Sequence, residues 1–331
     1  MIITTSAYPR AALIGNPSDG YFGKTIAFTF SNFRASATLY ETPELVIEPG
    51  PRDGSTFFSI EDLANDVKLY GYYGGIRLIK AAIKCFYDYA ARNGISLHKR
   101  NFTLRYESNI PNLVGLAGSS AIITASMRAI MAFYGVTIPN ARLANLIRDV
   151  ENVELGISAG LQDRVAQAYQ GLVYMDFDRK LLESRGYGEY KSISADLMPP
   201  LYIAYRTDLS EGSEVFHNNI RDRFYSGDSV VVDAMNYWAE LTDKAMVAIN
   251  NKDYSELGRL MDANFDRRAE LYQLSEGNLR MVEVARRAGA SAKFSGSGGA
   301  IVGICPDDAT FERLTASLEK LHVKVLRPNL I

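Results

Sequence analysis

The 331-residue chain holds only two cysteines, Cys85 and Cys305, a single tryptophan and three histidines. The cysteines follow no CxxC or zinc-ligand spacing, which excludes a disulfide scaffold and makes a reducing, cytoplasmic compartment the simplest expectation. His98, His217 and His322 are scattered, so no local motif assembles a Ser-His-Asp set or a multi-histidine metal site. Neither sign of charge is in excess: 36 Lys+Arg against 38 Asp+Glu leave a net charge of −2. That balance argues against nucleic acid or an anionic membrane as main partner and leaves room for a local basic pocket. No apolar run approaches the roughly 18 residues that span a bilayer. The start, MIITTSAYPRAALIG, has no basic stretch ahead of an apolar core, so no secretory signal is expected. No internal repeat is visible, and the sequence leaves the oligomeric state open.

What is present is an alternation of strand and helix patterns long enough for two domains or one large one. Ala11–Gly15 and Thr25–Phe30 are short apolar runs bounded by turn formers, and ASATLY and ELVIEP alternate with period two. From about Tyr72 to Arg92 apolar residues fall at helical spacing, and Asn101–Ser108 again reads as a strand. Helices are expected up to Gly156 and, from SAGLQDRVAQAYQG, up to Gly171, followed by a strand at Leu172–Phe177. Beyond Pro199-Pro200 come helical segments near Ser229–Asn250, Tyr254–Leu274 and Leu279–Ala288, then strands near AKFSGSGGAIVGICP and VKVLRP. The order implies an α+β chain in two halves.

Three stretches carry more polar and glycine punctuation than folding requires. In PNLVGLAGSSAI, Gly115, Gly118, Ser119 and Ser120 introduce an apolar helix. Glycines let backbone N–H groups approach a phosphate, and a helix start offers unpaired donors and partial positive charge. In FSGSGGAIVGI, Gly296, Ser297, Gly298 and Gly299 stand directly before an apolar strand, where another backbone or a ligand comes close. In PRAALIGNPSD a strand ends in Asn16, Ser18 and Asp19, a common setting for small ligands. Each has a plainer reading: a helix N-cap, a hairpin turn, an Asx turn. A fourth stretch, Gly23-Lys24-Thr25, imitates the end of a P-loop, but Ser18 stands where the first glycine belongs and a strand follows where a helix is needed.

Taken together and in this order, the three stretches resemble motifs 1, 2 and 3 of the GHMP kinase superfamily, with Ala117 where motif 2 usually has glycine. Segments between them, among them GYYGGIRLIKA and ELGISAGLQDRVAQAYQGLVYMDF, resemble the glucuronokinase family. The resemblance implies a ribosomal protein S5 domain 2-like N-terminal domain over 1–197 and a ferredoxin-like C-terminal domain over 198–331. It implies an ATP-dependent sugar kinase with Mg²⁺, phosphorylating the anomeric hydroxyl of D-glucuronate. Other acceptors (galacturonate, a heptose phosphate, another sugar) and a non-catalytic sugar or nucleotide sensor on the same scaffold are the alternatives.

The same resemblance assigns residues. Pro111, Gly115, Leu116, Ala117, Gly118, Ser119, Ser120 and Ala121, with Ser297 and Gly298, would hold ATP. Ser120 and Glu151 would hold Mg²⁺, with Glu154 one helical turn on as the competing carboxylate. Asp163 would take or polarise the proton of the attacking hydroxyl, with Arg10 beside it. Asn16, Asp19, Tyr72, Tyr73, Arg164 and Gly298 would line the sugar site. Asn16 stands where galactokinase-like members often have glutamate. For a substrate carboxylate an arginine is the geometric choice, and Arg164, Arg77 and Arg206 all remain open.

Overall fold

The structure is a computed structural model, and it describes residues 1–50, 53, 74–207 and 220–331. Along the chain the strands and helices are β1 Ile2–Ala7, β2 Arg10–Ile14, β3 Lys24–Thr29, β4 Ala35–Thr42, β5 Val46–Glu48, α1 Gly75–Arg92, β6 Asn101–Ser108, α2 Gly118–Tyr134, α3 Asn140–Asp149, α4 Gln162–Tyr169, β7 Leu172–Asp176, α5 Arg179–Arg185, β8 Glu189–Ile193, β9 Leu201–Tyr205, α6 Ser229–Asn250, α7 Tyr254–Leu271, α8 Glu276–Arg287, β10 Lys293–Phe294, β11 Ala300–Ile304, α9 Asp308–Glu319 and β12 Lys324–Leu326. They group into two compact units.

One unit comprises Met1–Tyr8, Phe33–Asn109 and Gly118–Ala159. Its sheet runs β1-β4-β6-β5, antiparallel except for the parallel β5–β6 pair. The period-two pattern of Ala35–Tyr40 is realised: Ala35, Ala37 and Leu39 are buried and the residues between them are not. Helix α2 packs on β1 and β4. Phe102 meets Phe133 edge-on at 5.2 Å between ring centroids, and Phe86 stacks on Tyr134 at 5.7 Å, which closes this core with offset aromatic contacts.

The other unit comprises Pro9–Asn32, Ile110–Ala117 and Gly160–Ile331. It holds two antiparallel sheets, β2-β3-β7-β8 and β10-β11-β9-β12. Strands β2, β9 and β11 are buried along their whole length, as the apolar runs of β9 and β11 require; in β2 the run begins after the buried Arg10. Trp238 of α6 is fully buried and its indole N–H donates to the Asn264 carbonyl of α7 at 3.0 Å. Phe265 packs edge-on against Phe294 at 5.2 Å.

Several boundaries differ from the sequence expectation. The helix drawn up to Gly156 is regular only to Asp149 and ends in a π turn, Val150–Glu154. The next one begins at Gln162 rather than Ser158 and stops at Tyr169. Helix α7 ends at Leu271, three residues early, and α8 starts at Glu276, three residues before Leu279. Among the described residues no helix is long and apolar enough to cross a membrane.

Candidate active site

Strand β2 organises the second unit's polar centre. Its Arg10 N–H donates to the Leu116 carbonyl at 3.1 Å, and its Ala12 N–H donates to the Ser295 carbonyl at 2.9 Å. The loop before α2 and the loop after β10 are thus each tied to this one strand. They also touch backbone to backbone. A methyl placed on Gly296 would lie 2.4 Å from the Gly115 carbonyl oxygen, and one on Gly115 would lie 3.0 Å from the Ser297 nitrogen. Only glycine allows that approach. Ala117 adopts a left-handed conformation, φ 61°, where glycine would be unstrained. Gln167 of α4 holds its carbonyl through Nε2 at 2.8 Å.

Arg10 is 4% exposed. Its Nη2 meets Asp163 Oδ1 at 2.6 Å, while Nη1 donates to the carbonyls of Ser295 at 2.5 Å and Gly115 at 3.4 Å. One guanidinium therefore links the acid to both glycine loops, a fork a lysine lacks. Asp163 sits in the first turn of α4. Its other oxygen, Oδ2, faces Arg164 Nη1 at 3.3 Å, and that nitrogen also donates to the Gly160 carbonyl at 3.0 Å. Adjacent helix positions diverge by about 100°, yet the long Arg164 side chain folds back to its neighbour. Arg164 is thereby engaged with Asp163. Arg77 is exposed on the first turn of α1, and Arg206 is half-buried beside the Gly299 carbonyl that its N–H binds at 2.9 Å.

Asp19 lies in a 3-10 turn, Ser18–Tyr21. Its carboxyl rests against the backbone before α4: a methyl on Gly160 would be 2.9 Å from Oδ2. Burial, reinforced by the negative charge of Asp163 and opposed by Arg10 and Arg164, pushes its pKa up to about 7. Tyr21 and Tyr272 stand close enough to feel the same charge. Burial raises both phenols, that of Tyr272 to about 12. Asn16 is 3% exposed and its Oδ1 accepts from Lys293 Nζ at 2.6 Å. Tyr72 and Tyr73 lie outside the described residues.

In the first unit, Ser119 is exposed at the start of α2 and its hydroxyl donates to Glu151 Oε1 at 2.9 Å. Ser120, the serine assigned to the metal by resemblance, is fully buried, and its carbonyl accepts from Thr124 Oγ1 at 2.7 Å. Glu151 is 2% exposed in the π turn. Glu154 is taken by Lys84 at 2.7 Å, so the two competing carboxylates have different employment. Among the described residues no group of three or more His, Cys, Asp or Glu converges on one point. One carboxylate beside a hydroxyl fits Mg²⁺, which keeps waters and substrate phosphate oxygens in most of its positions. The P-loop imitation is structural: Lys24 pairs with Asp243 at 2.7 Å and Asp176 at 3.9 Å.

Four residues of the site carry no sequence signal as site residues. Arg268 binds the Gly296 and Ser297 carbonyls at 2.9 and 3.2 Å. Asn278 accepts from the Gly299 N–H at 2.9 Å. Asn264 clasps Gly15 N and Asn16 O at 2.7 and 3.0 Å. Lys293 is the fourth.

Residues 77–171 match the family model for the GHMP kinases N terminal domain, and residues 245–324 match that for the GHMP kinases C terminal. The chain belongs to the GHMP kinase family. This GHMP kinase is 45% identical over 308 residues to probable glucuronokinase 2 of Arabidopsis thaliana, covering 91% of the chain and 84% of that protein. It is 43% identical to glucuronokinase 1 of the same plant over 307 residues, with the same coverage. Its mixed α and β architecture is the two-domain fold of the family: the mevalonate kinase of Methanococcus jannaschii superposes with a TM-score of 0.73 at 19% identity, covering 100% of this chain and 98% of that one.

Proposed function

We propose that this GHMP kinase transfers the γ-phosphoryl group of ATP to the anomeric hydroxyl of D-glucuronate, giving glucuronate 1-phosphate and ADP. It is an ATP-dependent sugar kinase. The glucuronate assignment draws on the two plant relatives. The observation that carries the chemistry is the Asp163 carboxylate held between Arg10 and Arg164.

Phosphoryl transfer asks a protein for positioning and charge neutralisation more than for covalent chemistry. The backbone of Gly115–Ser120 would receive the ATP phosphates, with Ser297 and Gly298 completing the nucleotide site and Pro111 and Ala121 flanking it. Glu151, with a hydroxyl of the Ser119–Ser120 pair, would hold Mg²⁺. When bound, the ion neutralises phosphate charge. Asp163 receives the proton of the sugar hydroxyl as its oxygen bonds to the γ-phosphorus and the bond to the β–γ bridging oxygen breaks. Arg10 keeps the carboxylate at a set angle to both glycine loops, so the base needs no reorientation during the step. Asn16, Asp19, Tyr72, Tyr73 and Arg164 supply the sugar contacts.

The division into 1–197 and 198–331 is part of the same reading. It is supported by the two family-model matches, which fall on either side of it, and by the β10-β11-β9-β12 sheet, built wholly from later residues. The compartment proposed is the cytoplasm.

A coupled ADP-release screen over uronic acids, hexoses and phosphorylated sugars tests the assignment, with the product position read by phosphorus NMR. Turnover of D-glucuronate to the 1-phosphate is the expected result. Turnover of a heptose phosphate or galacturonate without glucuronate would overturn the substrate and keep the class.

A further inference from the structure

Lys293 occupies β10, directly before the glycine loop, and is 1% exposed. Its Nζ donates to the Ala12 carbonyl at 2.8 Å, Asn16 Oδ1 at 2.6 Å and the Phe294 carbonyl at 2.7 Å. Three acceptors match the three protons of an ammonium, which has no lone pair left to offer. None of the three is charged. The charged groups that act most on it are two further cations, Arg268 and Arg10, and burial with their repulsion pushes its pKa well below the ordinary lysine value. An isolated buried cation is costly, and among the described residues no carboxylate pairs with this one; an anion bound beside Asn16 would offset that cost and hold the ammonium protonated.

The ammonium reaches the site through Asn16. In the ammonium form that its three oxygen acceptors call for, Lys293 only donates, and the Asn16 amide is then locked with Oδ1 towards the lysine and Nδ2 away from it. Its main chain is pinned by Asn264. Nδ2 makes no hydrogen bond among the described residues. A carbonyl oxygen bonded to an ammonium withdraws electrons from its amide, and chains of hydrogen bonds strengthen one another in this way. Asn16 is thus a fixed donor carrying part of a cation's influence, three residues from Asp19.

We propose that Asn16 Nδ2, oriented and polarised by Lys293, donates to the carboxylate of the acceptor sugar, and that this pair sets the preference for a uronate over a neutral sugar. Asn16 is the binding residue and Lys293 a positioning residue. The inference rests on the reading of the chain as a uronate kinase and adds how the acid group is recognised. The three open arginines are not needed for it: Arg164 is engaged by Asp163, while a cation already stands behind Asn16.

The decisive variant is Asn16→Asp, equal in size. It gives Lys293 its counter-charge inside the protein and turns a carboxylate towards the substrate's own. We expect KM for D-glucuronate to rise at least about tenfold, the loss of one charge-assisted hydrogen bond. KM for ATP should stay put, and the ratio of kcat/KM for glucuronate over D-glucose should fall by the same factor. The melting temperature should hold or rise. Lys293→Met should lower the same ratio. If circular dichroism finds that variant unfolded, Asn16→Asp alone decides. An unchanged ratio in Asn16→Asp, or a uniform loss of kcat on both sugars at unchanged KM, overturns the proposal. The substrate reading fails separately, when the wild-type protein ignores glucuronate. The ratio is then taken on whichever anionic acceptor it uses, and a wild-type preference for neutral sugars overturns both.

Discussion

Arg10 and Asp163 meet at 2.6 Å, with side chains 5% and 20% exposed, although they stand at opposite ends of the first half of the chain. The acid faces outward from a helix start; the arginine comes from a buried strand that also carries both glycine loops. The pair ties the proposed base to the proposed nucleotide-binding backbone.

Replacing Asp163 with asparagine removes the proton acceptor and keeps the shape. The kcat should fall by about 10²–10⁴-fold, with KM for ATP little changed. Steady-state kinetics check this, and wild-type-like turnover would remove Asp163 from the mechanism.

Arg10→Lys keeps the charge and loses the fork. A lysine's single nitrogen cannot stand at both the Nη2 position against Asp163 and the Nη1 position against Ser295 and Gly115, so buried carbonyls go unpaired. Each costs about 1–3 kcal/mol. Thermal unfolding should show a lower melting temperature, and kcat should drop at least about tenfold.

Gly296→Ala drives a methyl to 2.4 Å from the Gly115 carbonyl. The two loops must separate, and binding of a non-hydrolysable ATP analogue, measured by calorimetry, should weaken. Gly20→Ala is the control: nothing lies within 4 Å of the added methyl, and binding should match the wild type.

Asp19 predicts a pH dependence of stability. Its folded pKa of about 7 exceeds the ordinary aspartate value near 4. Between those values the folded state keeps a proton that the unfolded state releases, so this group's contribution falls as pH rises and levels off above about 7. Asp19→Asn should remove that slope, leaving the variant more stable than wild type at pH 8 by about 1–3 kcal/mol and closest to it near pH 4. Urea unfolding at a series of pH values measures the difference. A constant gap across the range would contradict it.

Glu151→Gln should raise the Mg²⁺ concentration needed for half-maximal turnover at least about tenfold, because a neutral amide is a poor partner for a hard dication. Glu154→Gln breaks only the exposed pair with Lys84 and should shift stability by less than about 1 kcal/mol without moving the Mg²⁺ requirement.

Much of this architecture is local and was therefore readable along the chain. Asn101–Ser108 and Ser229–Asn250 form the strand and helix their patterns predict. Strand β8 and helix α5 escaped because they bury almost nothing: β8 is an exposed edge, and no residue of α5 is buried. Without a buried face there is no hydrophobic period to read. The apolar spacing before Gly156 continues into the π turn, so the sequence pattern runs past the end of the regular helix at Asp149.

The glycine loops, the acid in LQDR and the strand ending at Asn16 are short-range patterns, so the order of residues alone identifies the family they belong to. Which side chains meet is another matter. Lys293 reaches Asn16 across 277 positions, Ser119 donates to Glu151, and Arg164 turns back onto Asp163. Such pairings depend on where strands dock and which rotamers the packing admits, and no local pattern encodes either.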